Sequence, residues 1–171
     1  YHHVTTGLIQ EIELGVVIGK PGRDIAPEDA YDHIFGYTII NDVSARGLDF
    51  SPEREGVGYF DWLNGKWLDS HCPVGPWIVD RESLPDVSSL GLKTVVNGEV
   101  RIDSNTNRMI FDIPRQIAYI SQLCTLEPGD LIATGVALGA AGADETMLKV
   151  GDVIEGTVEG VGTLRNAVAA P

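Results

Sequence analysis

Two glutamates stand two residues apart in a strongly apolar segment near the start of the chain. Glu11 and Glu13 flank Ile12, and residues 8–19 are otherwise rich in Ile, Leu and Val. A strand period of two places both glutamate side chains on one face, where their charges repel each other. Such a pair is tolerated where it faces water or where a cation lies between the carboxylates. From the pair alone, an exposed polar face and a metal site both stay open.

A third carboxylate strengthens the metal hypothesis. Asp42 follows the apolar run 37–41, and Arg46 stands four residues further on. Three carboxylates on rigid strands suit Mg²⁺ or Mn²⁺, which are hard cations that prefer oxygen ligands. A zinc site is not expected, because His71 and Cys72 form the only close His–Cys pair and core packing explains that pair more simply.

Two basic residues are candidates for contact with an anionic substrate. Arg46 could hold a substrate carboxylate through its planar guanidinium group, or it could brace Asp42. Lys66 follows a long polar segment over residues 47–65 and could polarise a carbonyl or orient a water molecule. Taken singly, each is more commonly a solvated surface charge.

A glycine-rich segment supplies the remaining candidates. Residues 130–134 predict a strand that runs into residues 135–142, where glycines let backbone N–H groups approach a ligand. Gly135 and Val136 are the substrate-binding candidates of this segment. Nucleotide binding is not expected, because the segment lacks the lysine and the spacing of a P-loop.

The composition narrows the class of protein and its partners. The 171 residues include 12 basic and 25 acidic side chains, which gives a net charge of −13. That surface would repel nucleic acid and anionic membranes. Two cysteines are too few for a disulfide scaffold, so reduced thiols in a cytoplasm are expected. The length predicts a single domain over residues 1–171.

The elements that position these residues are predicted to be mostly β, in an α+β domain. A sheet sandwich or a rolled-up barrel fits the pattern better than alternating β and α units. Helices are predicted over residues 27–34 and 114–123, and Asp112 is the candidate N-cap of the second. Strands are predicted over residues 8–19, 35–43, 75–79, 92–96, 99–102, 130–134, 152–158 and 161–168.

Four motifs in order resemble the fumarylacetoacetate hydrolase family over nearly the whole chain. The resemblance implies a mixed β-sandwich roll that assembles as a homodimer or a larger oligomer. It implies that Glu11, Glu13 and Asp42 hold Mg²⁺ or Mn²⁺, and that Arg46 and Lys66 flank the substrate. The matching segments are residues 11–20, 36–46, 66–77 and 129–135.

The family resemblance also implies a type of reaction. Members cleave C–C bonds of acylpyruvates and related diketo acids, and the cation stabilises an enolate as a Lewis acid. Hydrolysis of a small acylpyruvate or diketo acid is therefore the first hypothesis. A decarboxylase, isomerase or dehydratase acting on a related 2-oxo acid is the second. A catalytically inactive metal-binding subunit is the third.

Some positions depart from the family pattern. Asp49, a further substrate-binding candidate, stands where a glutamine is frequent and would add negative charge near the substrate. Val136 and Ala137 stand where many members have a threonine and a proline, which removes one hydroxyl donor. The family's catalytic histidine lies on a mobile lid before the first glutamate, so the general base is expected upstream of Tyr1.

Overall fold

Strands account for most of the regular structure. The computed structural model describes residues 7–46, 63–136 and 147–170. The described helices are α1 (Ile113–Leu123) and two 3-10 helices, Pro27–His33 and Thr106–Arg108. The strands are β1 (Leu8–Ile9), β2 (Ile12–Ile18), β3 (Ile34–Asn41), β4 (Ser44–Ala45), β5 (Val74–Asp80), β6 (Gly91–Val96), β7 (Glu99–Asn105), β8 (Leu131–Ala133), β9 (Val153–Val158) and β10 (Gly162–Ala167).

The strands form two four-stranded sheets and one small pair. The first sheet has the order β5-β3-β2-β8, the second has the order β10-β9-β6-β7, and β1 pairs with β4. All of these pairings are antiparallel. The prediction of a mostly β, α+β domain is therefore confirmed.

The two sheets pack face to face around β2. Every residue of β2 is buried, which is why its sequence is almost continuously apolar. Strand β2 contacts both β6 and β9 of the second sheet. Ile12 packs directly over Gly156 of β9, where an added Cβ would lie 2.7 Å from Ile12 Cγ1. Glycine at this position therefore allows the close approach that anchors the start of β2.

The best-predicted helix forms a layer beside the first sheet. Asp112 Oδ1 accepts a hydrogen bond of 3.0 Å from the backbone N–H of Arg115, so the predicted N-cap is confirmed. Helix α1 packs against the 3-10 helix Pro27–His33. Gln116 Nε2 donates to the carbonyl of Thr134 at 3.2 Å, which ties the helix to the end of β8.

Three local expectations need correction. The single strand predicted over residues 8–19 is divided, because Gln10 and Glu11 lie between β1 and β2. The helix predicted over residues 27–34 is a 3-10 helix that starts at Pro27. The 3-10 helix Thr106–Arg108 has no counterpart among the predicted elements.

Some expectations fall outside the described residues. Asp49 lies there, together with the aromatic side chains Tyr59, Phe60 and Trp62 of the long polar segment. The homodimer inferred partly from that segment stays a prediction. Among the described residues, no helix is long and apolar enough to cross a membrane.

Candidate metal centre

The pairing of β2 with β3 brings the first and third carboxylates together. The regular register ends at Ile12 opposite Asn41. One further backbone hydrogen bond, from the N–H of Asp42 to the carbonyl of Glu11, measures 2.8 Å and continues the contact past the strand ends. Glu11 and Asp42 are therefore neighbours although 31 positions separate them in sequence.

The three predicted carboxylates converge at this point. Carboxylate oxygens of Glu11, Glu13 and Asp42 all lie within 4.8 Å of one another. Glu13 is buried at 3% exposure, whereas the side chains of Glu11 and Asp42 are 12% and 21% exposed. The cluster thus runs from a buried inner carboxylate to an outer edge that solvent can reach.

Lys66 bonds to two of the three carboxylates. Its Nζ donates to Glu11 Oε2 at 2.8 Å, to Ser44 Oγ at 2.9 Å and to Asp42 Oδ2. Burial lowers the pKa of Lys66, but the bonds to Asp42 and Glu11 outweigh burial and raise the pKa above its ordinary value. The ammonium group therefore stays charged and partly neutralises the carboxylates.

Arg46 supplies the second positive charge. Its Nη2 donates to Glu11 Oε1 at 2.6 Å. The sequence left two roles open for Arg46, and this bond to Glu11 decides neither of them. Glu11 accepts from a different cation on each of its two oxygens, which fixes the orientation of its carboxylate.

Glu13 has the most perturbed carboxyl group of the three. Burial raises its pKa to about 7, and the charges of Asp42 and Glu11 act in the same direction. A hydrogen bond of 2.6 Å from the N–H of Gly135 to Glu13 Oε2 lowers the pKa, as does the charge of Lys66. The inner carboxylate consequently lacks enough positive charge around it to be fully ionised at neutral pH.

The donor set fits a hard divalent cation. Three carboxylates face two cationic side chains, so one negative charge of the group is not neutralised by a side chain once Glu13 is ionised. The donors are all oxygens, and their mutual separation suits shared coordination of one ion. Among the residues that the structure describes, this is the one group of three or more acidic, histidine or cysteine side chains close enough to hold a metal.

The glycine-rich segment reaches the cluster through Gly135. This residue has φ of +89°, a conformation that favours glycine, and the turn aims its N–H at Glu13. Val136 is half-buried and packs against the core. The substrate contacts expected of Gly135 and Val136 stay a prediction.

A cavity of about 260 Å³ adjoins the cluster on the Gly135 side. Its lining includes Met109, Phe111, Gln116 and Val136, so it is mainly apolar. A larger cavity of about 630 Å³ is lined by Asn41, which accepts a hydrogen bond from the N–H of Glu11. Each cavity therefore lies beside one residue that contacts the cluster, and none of the three carboxylates lines either cavity.

Two polar residues of the site were not singled out from the sequence. Ser44 Oγ donates to the carbonyl of Asp42 at 3.0 Å and accepts from Lys66. Asn41 Oδ1 accepts from the N–H of Glu11 at 3.2 Å. Both are buried. Both residues could have been identified from the sequence, because each is a polar residue beside Asp42 in a largely apolar run, and buried polar groups need hydrogen-bond partners.

His71 has the structural role expected for it. It is 4% exposed, and its Nδ1 lies 3.1 Å from the carbonyl oxygen of Gly65. The neighbouring Cys72 is exposed. Burial and then the charges of Asp42 and Glu13 raise the pKa of the Cys72 thiol, which does not favour a zinc-binding thiolate.

Comparison with known proteins finds matches over nearly the whole chain. The family model for the C-terminal domain of fumarylacetoacetate hydrolases matches residues 1–169. Oxaloacetate tautomerase YisK of Bacillus subtilis is 42% identical over 170 residues, which are 98% of this chain and 54% of that protein. The chain thus spans about half the length of this curated relative.

Solved structures share the fold. A fumarylacetoacetate hydrolase from Exiguobacterium antarcticum superposes with a TM-score of 0.85 at 40% identity, covering 98% of this chain and 58% of that one. A fumarylpyruvate hydrolase from Pseudomonas aeruginosa, in complex with Mn²⁺ and pyruvate, gives a TM-score of 0.87 at 29% identity. It covers 100% of this chain and 70% of that one.

Proposed function

The chain belongs to the fumarylacetoacetate hydrolase family, and we propose that it is the catalytic part of a divalent-metal-dependent enzyme acting on a small 2-oxo acid. The observation that carries this proposal is the convergence of Glu11, Glu13 and Asp42, two of which accept a hydrogen bond from Lys66. Buried like charges are costly, so an arrangement that concentrates them indicates a functional site.

Glu11, Glu13 and Asp42 would hold Mg²⁺ or Mn²⁺. When bound there, the cation would supply Lewis acidity to the 2-oxo group of a substrate. Glu13 must lose its proton for this ligand set to form, and its raised pKa makes that step dependent on pH near neutrality.

Arg46 is suited to hold the substrate carboxylate. A guanidinium group carries five N–H donors in a planar fork, so Arg46 can contact Glu11 and a second carboxylate together. Its side chain is 28% exposed, so it lies at the outer edge of the cluster. This contact fixes which end of the substrate faces the carboxylate cluster.

Lys66 is suited to stabilise negative charge that develops on the substrate. An ammonium group has three hydrogens, and Lys66 donates to Glu11, Asp42 and Ser44. Contact with a substrate oxygen therefore requires Lys66 to exchange one of these partners. A fixed cation at that position contributes most in the transition state, where the charge appears.

Keto–enol interconversion of a 2-oxo acid is the first candidate reaction. It is supported by the similarity to the Bacillus subtilis oxaloacetate tautomerase over 98% of this chain. Hydrolysis of an acylpyruvate is the second candidate, supported by the similarity to the Pseudomonas aeruginosa fumarylpyruvate hydrolase. Both reactions develop negative charge on the 2-oxo oxygen, so the same use of Lys66 and Arg46 serves either.

The test is a pair of assays on the same metal-loaded protein. Loss of enol absorbance from oxaloacetate reports tautomerisation, and release of pyruvate from acylpyruvates reports hydrolysis. We expect Mg²⁺-dependent acceleration of the first. Acceleration of the second alone would favour the hydrolase. No acceleration of either by protein with bound metal would support the inactive subunit instead.

A further inference from the structure

Asn41 links the metal-binding carboxylates to the second sheet. We propose that Asn41 is a positioning residue, which fixes Glu11 relative to Asp42 and thereby sets the affinity of the site for its cation. This inference rests on the proposed metal site. Asn41 itself contributes no carboxylate, so it acts through the residues on either side of it.

Asn41 is a buried asparagine at the end of β3, and hydrogen bonds hold its side chain on two sides. The residue is completely buried, at 0% exposure. Its Oδ1 accepts from the backbone N–H of Glu11 at 3.2 Å, and its Nδ2 donates to Asn166 Oδ1 of β10 at 3.3 Å. Its own N–H donates to the carbonyl of Pro73 at 3.0 Å. The side chain is therefore held by the backbone of Glu11, just before β2, and by Asn166 of the second sheet.

Glu11 needs such support because it lies outside a regular strand. It occupies the gap between β1 and β2, where the pairing with β3 has already ended. Its carbonyl accepts from Asp42, and its N–H donates to the side chain of Asn41. Two hydrogen bonds to consecutive residues of one strand end fix both backbone polar groups of Glu11. They fix the point from which the Glu11 side chain extends, and its bonds to Arg46 and Lys66 orient the carboxylate.

The bond to Asn166 extends this support to a more distant element. Because β10 belongs to the other sheet, the position of Glu11 depends on the packing between the two sheets. Groups that orient metal ligands affect affinity strongly although they do not touch the ion. Asn41 is placed to act in this way.

The experiment is titration of the full chain with Mn²⁺, followed by calorimetry and by the electron paramagnetic resonance spectrum of the bound ion. We expect Asn41→Ala to weaken Mn²⁺ binding by about 10- to 100-fold and to change the spectrum. Asn166→Ala should weaken binding less, because it leaves the bond between Asn41 and Glu11 in place. The spectrum responds to ligand geometry, so a loss of stability alone would not alter it.

A matched control is available at the far turn of the second sheet. Asn97 Nδ2 donates to Asp152 Oδ1 at 2.8 Å, and its Oδ1 accepts from the N–H of Val153 at 2.9 Å. Asn97→Ala should lower the melting temperature and leave both the Mn²⁺ affinity and the spectrum unchanged.

The outcomes separate this inference from the proposed metal site. Wild-type chain that does not bind Mn²⁺ would overturn both. Wild-type binding together with unchanged affinity and spectrum in Asn41→Ala would overturn the role of Asn41 alone. If Asn41→Ala does not fold, Asn166→Ala and Asn41→Leu decide the question, because leucine keeps a similarly branched side chain and removes the bond to Glu11. Wild-type affinity and spectrum in both of these variants would contradict the inference.

Discussion

The two four-stranded sheets arrange their charged side chains in opposite ways. On the β10-β9-β6-β7 sheet, charges face opposite charges across neighbouring strands, as in the pairs Lys93–Asp103 at 3.7 Å and Arg165–Glu155 at 3.6 Å. At one end of the β5-β3-β2-β8 sheet, three side chains of the same sign are gathered together.

The difference distinguishes exposed cross-strand ion pairs, which belong to the surface of a sheet, from a cluster of carboxylates, which belongs to a proposed site. Exposed cross-strand pairs contribute little to stability and tolerate substitution. A buried carboxylate such as Glu13 opposes folding unless a cation offsets it. The second arrangement fits the proposed metal binding, and substitutions in the two regions should have different consequences.

The largest expected effect comes from removing the positively charged side chain of Lys66 from the acidic cluster. Lys66→Ala should lower kcat by about 10²- to 10³-fold with a much smaller change in KM, because its contact with the substrate forms mainly in the transition state. Arg46→Ala should act mostly on KM. Steady-state kinetics on the favoured substrate measures both, and Lys93→Ala in the other sheet is the control. Full turnover by the Lys66 variant would contradict the role assigned to it.

An intermediate effect is expected in the pH dependence of stability. The pKa of Glu13 is about 7 in the folded chain and has an ordinary value of 4.5. Between these values the metal-free folded protein binds more protons than the unfolded chain, so the free energy of unfolding falls as pH rises. The fall should reach about 3 kcal/mol above pH 7.

Urea denaturation of the metal-free protein at pH 5 and pH 8 measures this change. Glu13→Gln should remove most of it, because glutamine does not titrate. Saturating Mg²⁺ should restore stability at pH 8, where the carboxylate is ionised and can bind the ion. A wild-type free energy of unfolding that rises over this interval relative to Glu13→Gln would refute the assignment.

The smallest effect is expected in the second sheet. Asp103→Asn removes the charge opposite Lys93, and both side chains are largely exposed. The free energy of unfolding should change by less than about 1 kcal/mol, since solvent screens such pairs. Thermal unfolding measures this shift. A loss as large as that expected at Glu13 would remove the distinction between the two regions.

The parts of the fold predicted well from the sequence are those with local signals. The hairpin of β9 and β10 follows from alternating apolar residues on both sides of Glu159 and Gly160. Helix α1 follows from its apolar spacing and from Asp112 as its N-cap. In both cases the residues that decide the structure lie within the element, so tertiary contacts do not change the outcome.

The parts that were missed depend on contacts between distant residues. The break at Glu11 is not visible in an apolar run. It arises because β1 pairs with β4 whereas β2 pairs with β3, so the chain changes its partner strand between β1 and β2. Likewise, the pairing of Gly135 with Glu13 joins residues 122 positions apart. The sequence identified the three carboxylates, but their hydrogen-bond partners followed only from the arrangement of the strands.

The most direct test of the metal site compares one carboxylate from each sheet. Calorimetric titration with Mn²⁺ should show one binding site in the wild-type chain. Glu13→Gln, which keeps an acceptor for the N–H of Gly135, should weaken binding by at least about 100-fold because it removes a ligand. Glu155→Gln in β9 should bind as the wild type does. Equal affinity of the Glu13 variant and the wild type would contradict the metal centre described above.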